Sequence, residues 1–486
     1  MYNFLPVLNV FSRILLAFAP AFLVPLAWAW FLDGRHHALV WAYGFAFTAF
    51  CGLALWQCTR AHRRELQAKD GFLLVNLVWT LLPGFAALPL MFTVPGVEWA
   101  KAYFEAMSAL TATGATAFAG LDDLPVSVNV WRCFLQLVGG LGIMLLVVAV
   151  LPLLGLGGVQ LYRAETPGPM KDTKFTPRIA ETARGLWGVY VLFAVACMLA
   201  YRWAGMSWAD AFMHMCTTMG LGGFSSHDAS FGYWDSHTIE AVATVFMTLA
   251  GVSFMRYFIV LRHRTLRPLL NDREIRTYVA VLAVSILVVA TLLVAHDTVD
   301  DFPEALRTAA FHVVSVATTT GYASTDYAQW PVFVPVLLMF LGCFVSCAGS
   351  TGGGIKLVRM VLLIKQARRE LVRIIHPRVV NPVTLGGVVM PTAVMTAVLG
   401  YMLIYGAATM GLTMVLLFTG LDIVTAFSAV VATVNNIGPG LGEVGPASNF
   451  GVLNTTQVWV LSFAMLLGRL ELLTVLVLFT GHFWRK

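Results

Sequence analysis

Four short polar segments interrupt the apolar stretches of this sequence, and their residue types suit the coordination of a bare cation. The clearest is Thr318-Thr319-Thr320-Gly321-Tyr322, which ends a helix-like run from about Glu304 to Val316. Such a run is too short to cross a bilayer, which takes about 20 residues. Irregular backbone at membrane depth is tolerated only inside protein or beside water. Because glycine permits angles that turn carbonyls inward, the segment predicts the wall of a narrow ion path.

The same unit recurs four times: an apolar span, a half-helix, a loop with a central glycine, and a second apolar span. Internal repeats are sought first, because overlooking them misassigns the fold. Four such units can close a ring with one path down its axis. The aligned glycines are Gly114, Gly223, Gly321 and Gly438.

We predict that the loops around these glycines form a selectivity filter, in which carbonyl oxygens replace the water that an ion sheds. The half-helices would add partial negative charge at their carboxyl ends. The predicted filter residues are Thr113, Gly114, Gly222, Gly223, Thr320, Gly321, Ile437 and Gly438. The residues expected to flank the filter are Thr111, Ala112, Gly220, Leu221, Thr318, Thr319, Asn435 and Asn436.

The composition predicts an all-α membrane protein. The 486 residues are 59% hydrophobic and 12% charged, with a mean hydropathy of +0.79, whereas soluble domains carry roughly 25% charged residues. Spans are predicted near residues 14–32, 38–57, 72–93, 130–153, 186–204, 237–260, 277–295, 331–366, 386–418 and 456–480. Half-helices are predicted at 99–111, 208–219, 304–316 and 421–434.

The expected architecture is two N-terminal helices followed by four membrane–pore-loop–membrane repeats around a central pore, as in potassium channels. No catalytic triad or metal-site spacing is present among the seven cysteines and the histidines, which disfavours an enzyme. We interpret His214 and the pair His227-Asp228 as packing or capping residues. The predicted divisions of the chain are 1–70, the N-terminal pair, and 71–160, 161–270, 271–380 and 381–486, the four repeats.

The charge distribution predicts the orientation in the membrane. Lys and Arg cluster in the connectors between repeats, such as 262–276 and 365–378, while the glycine loops carry acids such as Asp122 and Asp326. Cytoplasmic loops collect basic residues, so both termini should lie inside and the glycine loops outside. The acids could form a mouth that attracts cations or could be solvated loop charges. The net charge of +6 points to anionic lipid or an acidic partner, not to nucleic acid.

A second glycine cluster, residues 349–354 (GSTGGG), lies in the middle of the predicted span 331–366. Glycine destabilises a helix interior by about 1 kcal/mol per site, so this turn should unwind and line the cavity. We interpret it as a gating loop, with close helix packing as the alternative. A phosphate-binding loop is excluded, because Ile355 separates Gly354 from Lys356 and no strand precedes the cluster.

Arg469 stands near the middle of the predicted last span. An ionisable residue at this depth is a functional hypothesis by default, here a fixed positive charge that opposes cation flow. Glu471 points off roughly the opposite helix face and is a poor partner; a salt bridge to another helix is the alternative. The predicted gating residues are Gly349, Gly352, Gly353, Gly354, Lys356 and Arg469.

These residues resemble those of the Trk/Ktr/HKT superfamily of potassium transporters, and most closely its TrkH/TrkG type, the membrane subunit of bacterial Trk uptake systems. The resemblance covers essentially the whole chain, and the two extra N-terminal helices favour the TrkH type over the shorter Ktr type. The segments that carry it are 222–230, 318–322, 349–356, His376-Pro377, 435–440 and Arg469.

The resemblance implies K+ as the transported ion, bound at the backbone of the four aligned glycines, with no covalent cofactor. It also implies a homodimer with one pore per protomer in the bacterial inner membrane, surrounded by lipid and gated by a cytosolic nucleotide-binding ring similar to TrkA. It places the arginine that matches Arg469 under the filter.

From the residues alone, the transport scheme stays open. The copies differ after the glycine, so the filter cannot be fourfold symmetric, and its preference for potassium should be weaker than in a dedicated channel. Proton- or sodium-coupled potassium symport through broken helices is the alternative, and a scaffold whose repeats only pack is a third possibility. The residues that follow the four glycines are Ala115, Phe224, Tyr322 and Pro439.

Overall fold

The computed structural model describes residues 4–62, 64, 66–149 and 176–485. The connector from about 160 to 175 and the end of the predicted span 130–153 lie outside the described residues. Helices dominate the described residues, in which the strands Thr384–Leu385 and Val388–Val389 form one short antiparallel hairpin. The predicted all-α fold class is confirmed.

Two helices precede the repeats and brace the first of them. Leu5–Asp33 passes through short 3₁₀ and π turns, and Arg35–Thr59 follows directly. The Asp33 carboxylate accepts hydrogen bonds from the N–H groups of Val126 and Ser127 at 2.9 and 2.8 Å. These bonds satisfy amides at the start of a repeat-one helix, which have no partner within that helix.

Each of the four repeats begins with a span and then a half-helix, and the predicted half-helix ends agree with the observed ends within two residues. The first spans of the repeats are Ala68–Thr93, Thr176–Trp203, Arg273–Ala295 and Thr392–Phe418. The half-helices are Trp99–Leu110, Trp208–Gly220, Phe302–Ala317 and Ile423–Val434.

The second spans depart from the prediction, because three of them are broken. The predicted spans 237–260 and 456–480 are helix pairs bent by 85° and 108°, and residues 345–356 separate two helices within 331–366. At the first bend the Phe254 N–H donates to Gly349 O instead of to its own helix, at 3.2 Å. Tertiary contacts therefore set this break, which helix patterning alone does not reveal. The observed elements are Val126–Ala149, His237–Ala250 with Phe254–His263, Phe333–Phe344 with Leu357–Ile375, and Thr455–Arg469 with Leu473–Leu476 and Val477–Phe479.

The described residues contain six helices long and apolar enough to cross a membrane, or up to eight if each bent pair is one span. Ten spans were expected. The second span of repeat one, Val126–Ala149, borders residues that the structure does not describe, and that of repeat three is divided into two helices. The chain is a multi-pass membrane protein, and the carboxyl ends of its half-helices lie in its buried centre.

Candidate ion-conduction site

The four half-helices end in the same backbone motif. In repeat one the N–H of Thr113 donates to Ser108 O at 2.8 Å and the N–H of Ala112 donates to Ala109 O at 3.0 Å. This Schellman pair recurs in the other repeats, where Gly222, Thr320 and Ile437 take the place of Thr113. It satisfies carbonyls that would otherwise lack partners at the helix end.

A residue other than glycine adopts left-handed backbone in each motif. Such a residue costs roughly 1–2 kcal/mol, and backbone strain of this kind persists only where the surrounding structure enforces it, often at functional sites. The four left-handed residues are Ala112, Leu221, Thr319 and Asn436, with φ of 51°, 50°, 64° and 54°. All four were predicted to flank the filter.

The four aligned glycines, which we call the glycine ring, meet at the centre of the molecule. A methyl group built on the glycine of repeat one would collide with Gly222 O in repeat two, and one on Gly223 would collide with Thr320 O in repeat three. The same substitution in repeat three would strike Ile437 O. In repeat four the added carbon would lie 2.9 Å from Thr113 O. Each glycine thus abuts the carbonyl that precedes the next glycine, and the fourth repeat closes onto the first.

Any residue larger than glycine is disfavoured at these four positions. All four have positive φ, between 75° and 106°, and the neighbouring carbonyl occupies the space of a side chain. Positive φ also occurs two residues earlier, so handedness alternates along each segment and successive carbonyls are redirected. The ring brings backbone oxygens of four repeats together at the negative ends of four half-helices, an arrangement suited to a dehydrated cation.

The loop at 349–354 lies directly beneath the glycine ring and touches three half-helix ends. Thr351 Oγ1 donates to Met219 O in repeat two at 3.0 Å. The Gly353 N–H donates to Thr319 Oγ1 in repeat three at 2.8 Å, and a methyl on Gly353 would collide with Asn435 O in repeat four. A segment in contact with these three repeats at one level must lie across the axis below the ring.

Arg469 ties this loop to repeat one. Its side chain is 3% exposed, with Nη1 donating to Thr351 O at 3.0 Å and Nη2 donating to Gly139 O at 3.1 Å. Among the described residues, no carboxylate forms an ion pair with it, while Glu471 pairs with Arg359 at 2.6 Å. Arg469 lies near the middle of the last span as predicted, but the span is bent there, and Arg469 is the last residue of the helix Thr455–Arg469.

Lys356 follows the loop and folds back on it. Its Nζ donates to Gly352 O, and its own backbone has a φ of 77°. Before the loop, the Ala348 N–H donates to Glu274 Oε1 at 2.9 Å. Both ends of the loop are therefore held by ionisable side chains, Glu274 before it and Lys356 after it.

Comparison with known proteins identifies the family. The family model described as "TrkH: Cation transport protein" matches residues 36–486. The chain belongs to the TrkH family. The predicted resemblance is confirmed, and this is a family of transporters rather than enzymes.

Relatives of the same length carry the same name. TrkH of Vibrio parahaemolyticus is 45% identical over 445 residues, 91% of each chain, and TrkH of Escherichia coli is 42% identical over the whole of both chains. Both are named Trk system potassium uptake protein. The crystal structure of the potassium transporter TrkH from Vibrio parahaemolyticus matches all of this chain with a TM-score of 0.92 and 40% identity.

The loop acids do not line the cavity on the outer side of the ring in this TrkH family member, and the carboxylate mouth considered from the sequence stays a prediction. A cavity of about 70 Å³ opens there, lined by residues of all four repeats, and no described lining residue is acidic. Two of the loop acids bond backbone amides: Asp228 Oδ2 accepts from the Leu121 N–H at 3.0 Å, and Asp326 Oδ1 accepts from the Ala328 N–H at 3.2 Å. They stabilise loop structure around the ring.

Gln136 is a buried polar residue near the ring that the sequence analysis missed. Its amide fills the space beside Gly222, which has no side chain, and Nε2 donates to Gly222 O at 2.8 Å. In repeats one and three a pair of threonine hydroxyls lies at this level instead, Thr111 with Thr113 and Thr318 with Thr320. A glutamine within an apolar span was the available signal.

Proposed function

We propose that this chain takes up potassium across the bacterial inner membrane through the glycine ring. The names of its relatives support potassium as the ion. The observation that carries the proposal is the closed contact of each glycine with a carbonyl of the next repeat. An ion on that axis would exchange water for oxygens of four repeats, while weak binding at each would allow release.

The segments around the ring are similar but not identical, and this sets the expected selectivity. Repeats one and three carry threonine hydroxyl pairs. The repeat-two segment instead faces the amide of Gln136, from the second span of repeat one, and repeat four has Asn436, whose Nδ2 donates to Thr113 Oγ1 at 2.8 Å. Unequal walls hold the oxygens at unequal distances from an ion. We therefore propose a preference for potassium over sodium that is weaker than in a fourfold-symmetric channel.

The loop at 349–354, with Lys356 and Arg469, is the proposed gate. It crosses beneath the ring and is held there by hydrogen bonds to two half-helix ends and to the Arg469 guanidinium. It also packs closely against the third half-helix end at Asn435. In this position it obstructs the path, and the buried positive charge opposes a cation that leaves the ring. Conduction would require the loop to move aside.

The proposed assembly is a homodimer, with one pore per protomer, bound to a cytosolic nucleotide-binding ring of the TrkA type. The relatives' description as Trk system proteins supports a multi-component transporter. Arg368, Arg373 and Arg378, in and just after the helix Leu357–Ile375, are exposed and available to an acidic partner or to anionic lipid headgroups. That basic surface would face the cytoplasm, as would both termini. We also propose that the four repeats begin at residues 71, 161, 271 and 381.

Rescue of a potassium-uptake-deficient bacterium on limiting potassium tests passage through the ring. Wild type should rescue growth, and Gly321→Ala should not, because the new methyl would strike Ile437 O. Gly420→Ala is the matched control: Gly420 also has positive φ, but nothing lies within 4 Å of an added carbon. Equal rescue by both variants at equal membrane abundance contradicts the proposal. Uptake into vesicles that collapses with the proton gradient at clamped voltage would instead favour symport.

A further inference from the structure

A second set of contacts holds each segment of the glycine ring from its outer side. Nine residues before the ring glycine stand Glu105, His214 and His312 in repeats one to three, and Ala429 in repeat four. The three polar side chains are fully buried. Each reaches from its half-helix to the chain just after the glycine.

In repeat one the contact is a carboxylate. Glu105 Oε2 accepts from the N–H of Ala117, three residues after the ring glycine, at 2.8 Å, and Oε1 accepts from Thr116 Oγ1 at 2.9 Å. Arg132 Nε donates to Oε1 at 2.6 Å, so the buried charge is paired.

In repeat three the imidazole of His312 makes the equivalent contact from the same position relative to the ring glycine. His312 Nε2 accepts from the N–H of Ser324, again three residues after the glycine, at 3.2 Å and faces the N–H of Thr325 at 3.4 Å. Its Nδ1 lies 2.9 Å from Thr308 O. Because that carbonyl can only accept, the ring proton is on Nδ1 and the lone pair of Nε2 is free for the two amides.

Repeats two and four reach the same part of the chain through hydroxyl groups. His214 Nε2 bonds Ser225 Oγ at 3.0 Å, and Ser225 Oγ accepts from the N–H of His227 at 3.1 Å. In repeat four, Ser428 Oγ accepts from the N–H of Leu441, three residues after the ring glycine, at 2.8 Å. In repeats one, three and four the side chain therefore binds the amide three residues after the glycine directly. In repeat two, His214 reaches the amide four residues after the glycine through Ser225.

We propose that Glu105, His214, His312 and Ser428 are positioning residues that set the spacing of the glycine ring, and so the discrimination between potassium and sodium. The proposal rests on the proposed function of the ring as the ion path. Each glycine segment is attached to its own half-helix at two places: the Schellman bonds before the glycine and these side chains after it. With both ends fixed, the carbonyls cannot approach one another around a smaller ion.

His312 offers the cleanest test, because Glu105 cannot be changed without stranding the Arg132 charge. His312→Phe keeps an aromatic ring but removes the acceptor, whereas His312→Gln restores an acceptor oxygen. We expect the ratio of potassium to sodium uptake by purified protein in liposomes to fall about tenfold in His312→Phe, as for one lost buried hydrogen bond, and to recover in large part in His312→Gln. His296→Phe is the control, since His296 makes the same bond to the carbonyl four residues back but is exposed.

Ser428→Ala carries the same prediction in repeat four with the loss of a single oxygen, and it remains informative if His312→Phe does not fold. A folded His312→Phe or Ser428→Ala protein with the wild-type ratio overturns the proposal, as does failure of His312→Gln to restore it. Failure of the ion-path proposal is distinguishable, because Gly321→Ala would then transport normally. If Gly321→Ala is inactive and these variants keep full discrimination, only the positioning role is wrong.

Discussion

The glycine ring and the loop beneath it are in contact, yet they are built in different ways. The ring is built from one unit that occurs four times, and neighbouring units meet backbone against backbone, each glycine against the next repeat's carbonyl. The loop at 349–354 occurs once and is held by side chains, among them the Thr351 hydroxyl and the Arg469 guanidinium. One segment of a closed ring cannot move without displacing its neighbours, whereas the loop can move by breaking a few bonds.

The energies agree with this division. A neutral hydrogen bond contributes about 0.5–1.5 kcal/mol net and one to a charged group about 1.5–3 kcal/mol. The loop bonds from Thr351 Oγ1, Arg469 Nη1 and the Gly353 N–H therefore total about 2.5–6 kcal/mol. A partner that binds the open state a few kcal/mol more tightly could shift such an equilibrium. In the ring, left-handed residues in all four repeats are enforced by surrounding packing.

The largest effect on ion uptake should come from adding a side chain to a glycine of the ring. Its size should differ from one repeat to another. Gly114→Ala places a carbon against Gly222 O, whereas Gly438→Ala leaves 2.9 Å to Thr113 O. We expect rubidium uptake to be lost in Gly114→Ala and to be retained in part in Gly438→Ala. Equal loss in both, at matched abundance in the membrane, would show that strain at positive φ matters more than the collision.

A moderate increase in ion uptake should come from removing the bonds that hold the loop at 349–354. Arg469→Ala removes the bonds to Thr351 O and Gly139 O together with a positive charge below the ring. We expect rubidium uptake to rise about tenfold, since one charged hydrogen bond on the closed loop is worth about 1.5–3 kcal/mol. Arg202→Ala, which removes an exposed guanidinium bonded to Met206 O at 3.0 Å, should leave uptake unchanged. Unaltered flux in well-expressed Arg469→Ala would contradict a gating role.

The sequence predicted the repeated parts well and the unique contacts poorly. Four copies aligned on one glycine were enough to place the half-helices and the ring, because local backbone rules operate in each copy. The bends at 251–253 and after Arg469 were missed, since loop 349–354 docks at one and left-handed Glu471 and Leu472 form the other. The periodicity of the apolar residues does not predict either break.

The aligned sequence repeats contained a signal for the positioning residues that the prediction did not use. His214 was interpreted as packing, although the same alignment places it level with Glu105 and His312. Three buried polar residues at one register of the half-helices indicate a shared role. The partners are the amides of Ala117 and Ser324 for Glu105 and His312, and the Ser225 hydroxyl for His214. They depend on how the chain turns back after the ring, and only the structure supplies that.

The smallest expected effect is on the stability of the folded protein. It comes from the loops on the outer side of the ring, where charged side chains connect repeats one and two. His227 Nδ1 bonds Asp122, and Nε2 lies 3.4 Å from Asp210 Oδ1. Burial would lower the pKa of His227, but the two carboxylates outweigh it and raise that pKa above its usual value of 6.5. The pKa of Asp122 is lowered: burial opposes this, but the hydrogen bond from His227 prevails.

These directions fix the sign of a pH dependence. A raised histidine pKa stabilises the folded protein fully below pH 6.5, and this stabilisation is lost as pH rises through the folded-state pKa. The carboxylate contribution is lost only below the usual aspartate pKa of 3.8 and so stays constant between about pH 5.5 and 8.5. Thermal unfolding of the purified protein over that range should therefore show a difference between wild type and His227→Gln at the acidic end, about 1 kcal/mol or less for a partly exposed pair. A difference that grows toward alkaline pH would contradict the assigned charge on His227 and leave hydrogen bonding alone to connect the two loops.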